Sequence, residues 1–589
     1  MIHSYKKYRK LGWNQVTAIV IITAAVALRL VLIALGWPTS NSDEGTMGLE
    51  AMHIAFRGEH PVFFYDQSYM GVLEAYIGAA LFHLFGPSLF VLRLGLILLF
   101  ALFLLTMYVL TRFLYTKNLA LIAIALLCFG AAENFTRELK AVGGAAETLL
   151  FGSLSLLLAS WLAYSFHPDT KTARQPVQNQ IVETGEVQLS QDAMKSLLTD
   201  KGRRRYVLYG CLGLVMGLGI WSHMLVLPFV AMAVLLLLLF CYREILTPAI
   251  LWLLVGFCIG SLPMLIFNVR YPAENSILTL LHEQTVGGTG AASAFSRKDS
   301  ILGTILVSIP EATGASPLCP LSTTTGQWRQ QVSSCMIFQG AWGLGFLILL
   351  ATAIVVALIG LRGWRQAIRF TAPLGERQRI VRNTARLLLL GSAVFTLLAY
   401  VPTLAPALVP ITSARYLVGL LVITPALIAP LCAGIPRMKP GSPSAAMGVV
   451  AGILRWSVLL FAAVVLVKGT IGVFQQIPGA QRTDEQQQAL INVLQRVHAT
   501  RIYSDYWTCD LLIFESNERI ICSALHNNLQ IGFNRYPTYT IILKQDASAA
   551  YVFSSGSAQD RTFAHRLTTS HRHYTRSIAY GYTIYQPAT

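Results

Sequence analysis

The chain has 589 residues, 54% of them hydrophobic and only 12% charged, with a mean hydropathy of +0.56. Soluble domains carry roughly twice that charged fraction. The net charge of +17 is not a nucleic-acid footprint, because the basic residues cluster in short loops between apolar runs. Composition therefore excludes a soluble or nucleic-acid-binding protein and points to a mainly α, polytopic, integral membrane protein.

Lys6, Lys7, Arg9 and Lys10 precede the first apolar run, Gln15–Trp37. That run is too long for a signal peptide and reads as an uncleaved first span with its N-terminus inside. Beyond it lies the first external loop, 38–88, which opens on Asp43-Glu44, the first acids of the chain. Two adjacent carboxylates at the water end of a span fit three roles: capping a helix with Ser42 or Asp43, gripping a cation, or taking a proton from a hydroxyl. The rest of this loop interleaves Tyr65, Tyr69 and Tyr76 with Asp66 and Glu74, a pattern for helices lying in the membrane interface.

Spans two to four read as about Leu89–Leu110, Leu119–Ala132 and Ala141–Ser165. Between the third and fourth, Glu133, Arg137, Glu138 and Lys140 reach the outer face. Glu147 is expected as a partner for Arg137 or Lys140, and Arg29 and Arg93 are expected to snorkel to the interface. Spans five and six form a hairpin joined at Trp221-Ser222-His223, and the glycines of span five predict close approach to a neighbour. Span seven ends near Asn268, ahead of a long external loop, 270–339, with a Gly-rich tip at 287–290 and the pair His282-Glu283. Spans eight to eleven complete the membrane part, with Arg415-Tyr416 at the outer mouth of span ten. The excess of Lys and Arg on one side predicts about eleven spans, N-terminus cytoplasmic and C-terminus exoplasmic.

After about Gln476 the composition becomes that of a soluble domain. Thr483 or Asp484 is expected to cap a helix running to Val497, and strands are expected at 501–507, 519–524, 538–544, 550–554 and 578–585. This gives a small exoplasmic α/β domain, 476–589, behind a membrane domain, 1–475. Nine cysteines are too few for a disulfide scaffold, and Cys509 with Cys522, and Cys319 with Cys335, are the candidate pairs if their segments face an oxidising side. No spacing of His and Cys marks a metal site.

The N-in first span, the Asp43-Glu44 pair, the interfacial helices and the polyspanning body resemble GT-C glycosyltransferases. The likeness is greatest to the family-39 type, which includes protein O-mannosyltransferases and lipid A aminoarabinose transferases. Phe64–Tyr76, the Gly-Ser-Leu-Pro of the Gly256–Asn268 stretch with its terminal Asn, and Arg415-Tyr416 are similar to bacterial members, and the resemblance covers roughly residues 10–475. It implies transfer of a hexose or pentose from a polyprenyl-phosphate donor to a protein, lipid or glycan hydroxyl at the outer face of the plasma membrane, with inversion. By that likeness Asp43 is the general base, Glu44 orients the acceptor or tunes Asp43, and Arg137, Lys140, Arg415 and Tyr416 hold the donor phosphate. Tyr65, Asp66, Tyr69, Glu74, His223 and Asn268 are the candidates for sugar and acceptor. The chain lacks the Asp-x-Asp that oligosaccharyltransferases carry in the second external loop, so no cofactor is assigned and a divalent metal is left without a ligand set. The rival functions are a lipid-linked glycan flippase or transporter, and a non-catalytic glycan-binding relative. Near-absence of charge from mid-span positions disfavours transport.

Overall fold

The computed structural model describes residues 12–166, 200–276, 296–315, 328, 334–432, 443–569 and 573–588. Among the described residues eight helices are long and apolar enough to cross a membrane, beginning with Trp13–Ala34 and ending with the long C-terminal one. Two further spans result if each bent pair counts as one: Lys117–Leu127 with Ala132–Leu139, broken by 91°, and Ala249–Gly260 with Leu262–Arg270, broken by 70°. The expected sixth span, Met224–Phe240, is an apolar helix but shorter than those eight. The chain is a polytopic helical membrane protein with a small C-terminal sheet domain.

Packing in the membrane part follows small residues. A Cβ on Gly213 would lie 2.0 Å from the Leu253 carbonyl, and one on Gly256 would lie 2.0 Å from the Gly210 carbonyl. Helices Asp200–Ser222 and Ala249–Gly260 thus touch backbone to backbone, which is how helices gain contact in a medium as apolar as their own side chains. Two buried ion pairs tie helix ends together next to the first loop. Arg29 binds Glu138 at 2.6 Å and Arg93 binds Glu44 at 2.6 Å, with every side chain at most 5% exposed. The expectation that these arginines snorkel to the interface was wrong. An unpaired charge at that depth costs far more than a charge held by a carboxylate and further acceptors, and Arg29 also donates to the Cys128 carbonyl and Arg93 to the Pro38 carbonyl.

The stretch after the first span forms the helix Ser42–Met52. Its N-cap is Asn41, whose side chain accepts from the Glu44 amide at 3.1 Å. Ser42 and Asp43 are therefore not the cap; Asp43 lies in the first turn, where a negative charge suits the helix dipole. From Glu44 to Met52 every residue is buried, because the helix is enclosed by helix Leu73–Phe85 and by Tyr506–Glu515 of the C-terminal part. A Cβ on Gly45 would sit 2.5 Å from the Leu511 amide nitrogen, and one on Gly48 would sit 2.7 Å from the Phe514 ring. Only glycine permits this approach.

The last span is not separated from the C-terminal part. One helix runs from Pro443 to Arg496, with Pro478 inside it, so neither Thr483 nor Asp484 caps a new helix. Its polar half is rich in Gln, Glu and Arg, good helix formers that carry the helix onward. Five strands follow: β1 Arg501–Ser504, β2 Ile521–Ala524, β3 Ala550–Ser554, β4 Tyr574–Ala579 and β5 Tyr582–Pro587. They form one sheet of order β2-β1-β3-β5-β4. β1 is parallel to β2 and β3, whereas β3–β5 and β5–β4 are antiparallel. The expected strand at 538–544 is instead helix Pro537–Lys544, whose Pro in the first turn and buried Tyr539, Thr540 and Leu543 set a helical period. The expected final strand is a hairpin, turned at Tyr580-Gly581, both with positive φ. Cys509, on helix Tyr506–Glu515, is joined to Cys522 on β2 by a disulfide with Cα atoms 5.2 Å apart. Cys335 is also disulfide-bonded; Cys319, like His282, Glu283 and the tip at 287–290, lies outside the described residues.

Candidate active site

Asp43 and Glu44, adjacent in sequence, point into different surroundings. Asp43 keeps a quarter of its side chain exposed. Its Oδ1 accepts from the Tyr506 hydroxyl at 2.5 Å and from Arg535 Nη2 at 3.2 Å. The Arg535 Nε in turn donates to the Tyr506 hydroxyl at 2.9 Å. Asp43 also lies within electrostatic reach of Arg415. A carboxylate so placed is open to solvent yet fixed, the condition for taking a proton from an incoming hydroxyl.

Glu44 is fully buried. Its carboxylate binds Arg93 through both oxygens, at 2.8 and 2.6 Å, and accepts from the Ala141 amide at 3.1 Å. Burial raises its carboxyl, but the Arg93 guanidinium more than offsets this and holds it below the usual range. With both oxygens engaged inside the protein, Glu44 cannot meet an acceptor, and the expectation that it orients one is withdrawn. It is a strut that ties the site helix to helix Leu89–Leu114.

Of the expected phosphate ligands, Arg415 donates to the Tyr416 hydroxyl at 3.0 Å and is within electrostatic reach of Asp43 and Tyr69. His223 is within reach of Arg415, while its Nδ1 accepts from the Leu225 amide at 3.1 Å and so caps the turn at the span hairpin. Lys140, half-buried at the end of helix Ala132–Leu139, interacts with Glu44, Arg93, Arg137 and Glu133. Arg137 is neutralised by Glu133 at 2.5 Å, one helical turn away, and as a paired group it is a weaker anion ligand than Arg415.

Four of the expected sugar or acceptor ligands are otherwise occupied. The Tyr65 hydroxyl bonds Glu59 Oε2 and His53 Nδ1, both at 2.8 Å, and its amide donates to the Glu50 carboxylate. This makes Tyr65 a brace between loop segments. Glu74 accepts from the Gly143 amide at 3.0 Å and faces Glu147. Glu147 therefore does not pair with Arg137 or Lys140, as the sequence led us to expect. The Asn268 carboxamide closes a turn on Ser276, with its oxygen and nitrogen each 3.0 Å from their partners, and His223 caps its turn as described. Tyr69 lies within electrostatic reach of Arg415, and Asp66, exposed and with φ 59°, lies within reach of Arg535.

Two residues of this site carried no signal in the sequence. Tyr506 and Arg535 lie 463 and 492 positions from Asp43, in segments without a motif, and only the docking of the sheet domain brings them there. That docking has its own polar seam. Thr46 Oγ1 donates to Asp510 Oδ2 at 2.8 Å, the Asp510 amide donates to Ser42 Oγ at 3.2 Å, and Tyr536 donates to Glu59 at 3.0 Å. Burial pushes the Asp510 carboxyl up to about 6 and the Glu515 carboxyl up to about 8. Among the described residues no three His, Cys, Asp or Glu side chains are grouped to hold a metal ion.

No family model matches the sequence, and no curated protein matches it. Solved structures do. ArnT from Cupriavidus metallidurans bound to undecaprenyl phosphate is similar over 97% of this chain and 98% of its own, with a TM-score of 0.54 at 11% identity. The chain has a GT-C fold. The same ArnT in the apo state aligns over the same shares, with a TM-score of 0.52 at 12% identity. The Archaeoglobus fulgidus oligosaccharyltransferase in the apo form is more distant, with a TM-score of 0.44 at 13% identity over 93% of this chain and 70% of its own. At such identities the likeness is one of fold, and the chemistry must be argued from this chain's own residues.

Proposed function

We propose that this GT-C chain is an inverting membrane glycosyltransferase that moves a sugar from a polyprenyl-phosphate donor to an acceptor hydroxyl at the outer face. Asp43 is the base. It takes the acceptor proton as the acceptor oxygen attacks the anomeric carbon from the side opposite the phosphate. The bond from that carbon to the phosphate oxygen breaks, and its electron pair leaves with the lipid phosphate. The leaving group needs no proton, because cations stabilise its charge. Arg415, oriented by Tyr416, is the principal cation, and Lys140 is the second. Tyr69 and Asp66 flank the sugar.

The observation that carries this reading is the pairing of unlike environments at Asp43. One oxygen is held by the C-terminal domain, solvent reaches the carboxylate, and the Arg415 guanidinium lies within electrostatic reach. Residues 1–475 then form the transferase body, and 476–589 form an exoplasmic domain that closes over the first loop. The N-terminus is cytoplasmic by the distribution of Lys and Arg.

The test is direct. The purified full chain in proteoliposomes is given a panel of undecaprenyl-phosphate hexoses and pentoses, and release of undecaprenyl phosphate is followed. Release from at least one donor, stimulated by an acceptor extract, is expected. Binding of the donors, or their passage across the bilayer, with no cleavage would instead identify a transporter or a binding protein.

A further inference from the structure

The geometry points to Tyr506 and Arg535 as positioning residues that decide which oxygen of Asp43 takes the proton; we infer that the C-terminal domain thereby forms part of the catalytic apparatus. The inference rests on Asp43 acting as the base. Both groups donate to the same atom, Oδ1, and they are bonded to each other. Among the described residues Oδ2 has no hydrogen-bond partner, so it is the oxygen left with free lone pairs. Proton transfer demands hydrogen-bond reach and a fixed orientation, and a carboxylate free to rotate would present either oxygen in turn. Two donors on Oδ1 remove that freedom. In the reaction the acceptor O–H proton passes to Oδ2 while Oδ1 keeps its two hydrogen bonds. The acceptor oxygen bonds the anomeric carbon, and the phosphate departs with the electron pair of the bond that breaks.

The clamp is itself braced. Arg535 is only 10% exposed. Its guanidinium lies 4.8 Å from the Phe64 ring centre and 4.7 Å from that of Phe533, and Nη1 reaches the Tyr65 carbonyl at 3.4 Å. Tyr506 begins the helix capped by Asp505, which accepts from the Thr508 amide at 3.2 Å, and the Cys509–Cys522 disulfide pins that helix to the sheet. The other charged groups facing Asp43 are Arg415 and Asp510. Asp510 is engaged by Thr46 and Arg415 by Tyr416, so neither duplicates the clamp.

The test uses the full chain in proteoliposomes and the undecaprenyl-phosphate sugar that the parent protein cleaves fastest. Arg535→Gly is expected to lower kcat by about 10–100-fold, with KM for the donor changed less than about threefold, because the loss falls on the transition state. Added guanidinium ion should restore at least about a tenth of the parent rate, and Arg535→Lys should fall between glycine and parent. Tyr506→Phe keeps the packing and is expected to lower kcat about tenfold, so it decides the matter if the glycine variant melts at too low a temperature. A residue that merely glues the domain in place would lose activity without rescue by guanidinium, and that result would overturn the inference. So would unchanged kcat in both variants while Asp43→Asn is inactive. An active Asp43→Asn enzyme would remove the base, and this inference with it.

Discussion

At the scale of residues, the site depends on single charges facing different ways. Arg415 is the cation that the argument places on the lipid phosphate. Its removal as Arg415→Ala should weaken undecaprenyl-phosphate binding by about 1.5–3 kcal/mol, the range for a charged hydrogen bond. Arg415→Lys should recover part of that, since an ammonium keeps the charge and loses the fork. Titration of the lipid against the protein reports both, and equal affinity in all three forms would remove Arg415 from the phosphate site. The sequence already singled out Asp43 and Arg415, because exposed charges at span ends are few and a loose carboxylate there is costly to keep. Only the family resemblance, not charge or spacing, separated Asp43 from Glu44. Their difference arises from Arg93, which is far away in the chain and looks on its own like an interfacial arginine.

At the scale of elements, the helix Ser42–Met52 and its cover Tyr506–Glu515 form one unit. Gly45→Ala would push a methyl into the Leu511 backbone, 2.5 Å away, and overpacking of that kind costs about 1–3 kcal/mol. Its thermal midpoint should fall well below that of Gly375→Ala, a helical glycine with nothing within 4 Å; equal midpoints would refute the close packing. The same seam predicts a pH dependence. Asp510 and Glu515 have folded values of about 6 and 8, above those of an unfolded carboxyl near 4. The folded state therefore binds more protons between these limits, and the stability these groups contribute is present below pH 4 and lost as pH rises through 6 and 8. Asp510→Asn should melt higher than the parent at pH 8, with the difference vanishing toward pH 4. A difference independent of pH would contradict the assignment. Apolar length alone located the spans. The same pattern failed at 538–544, where a short run with β-branched residues reads as either element until its buried face is known. It failed again at 483–484, where a polar stretch that looked like a new beginning continues an existing helix.

At the scale of the whole molecule, the fold is a GT-C membrane body with a sheet domain seated on its first loop. The body was legible because lipid allows few alternatives to apolar helices. The seating was not, because a docking surface of Tyr506, Asp510, Arg535 and Tyr536 has no period and no motif. The proposed orientation puts the sheet domain outside. A cysteine introduced at exposed Asn527 should react with an impermeant maleimide on intact cells, and labelling only after the membrane is opened would reverse the topology. Loss of the Cys509–Cys522 bond, which closes a loop of 13 residues, should cost about 3 kcal/mol of domain stability. A reducing agent should therefore lower the melting temperature of the parent by more than that of a Cys509→Ala, Cys522→Ala variant, in which only the Cys335 disulfide remains to be reduced.

The measurement that bears most directly on the central claim is turnover by Asp43→Asn. Asparagine keeps the size of aspartate and can still accept from Tyr506 and Arg535, but it cannot take up the acceptor proton. General-base catalysis contributes about 10²–10⁴-fold. The account predicts a variant that folds, binds undecaprenyl phosphate as the parent does, and releases it from the sugar donor slower by at least the lower of those factors. Near-parent turnover by the asparagine enzyme would contradict it.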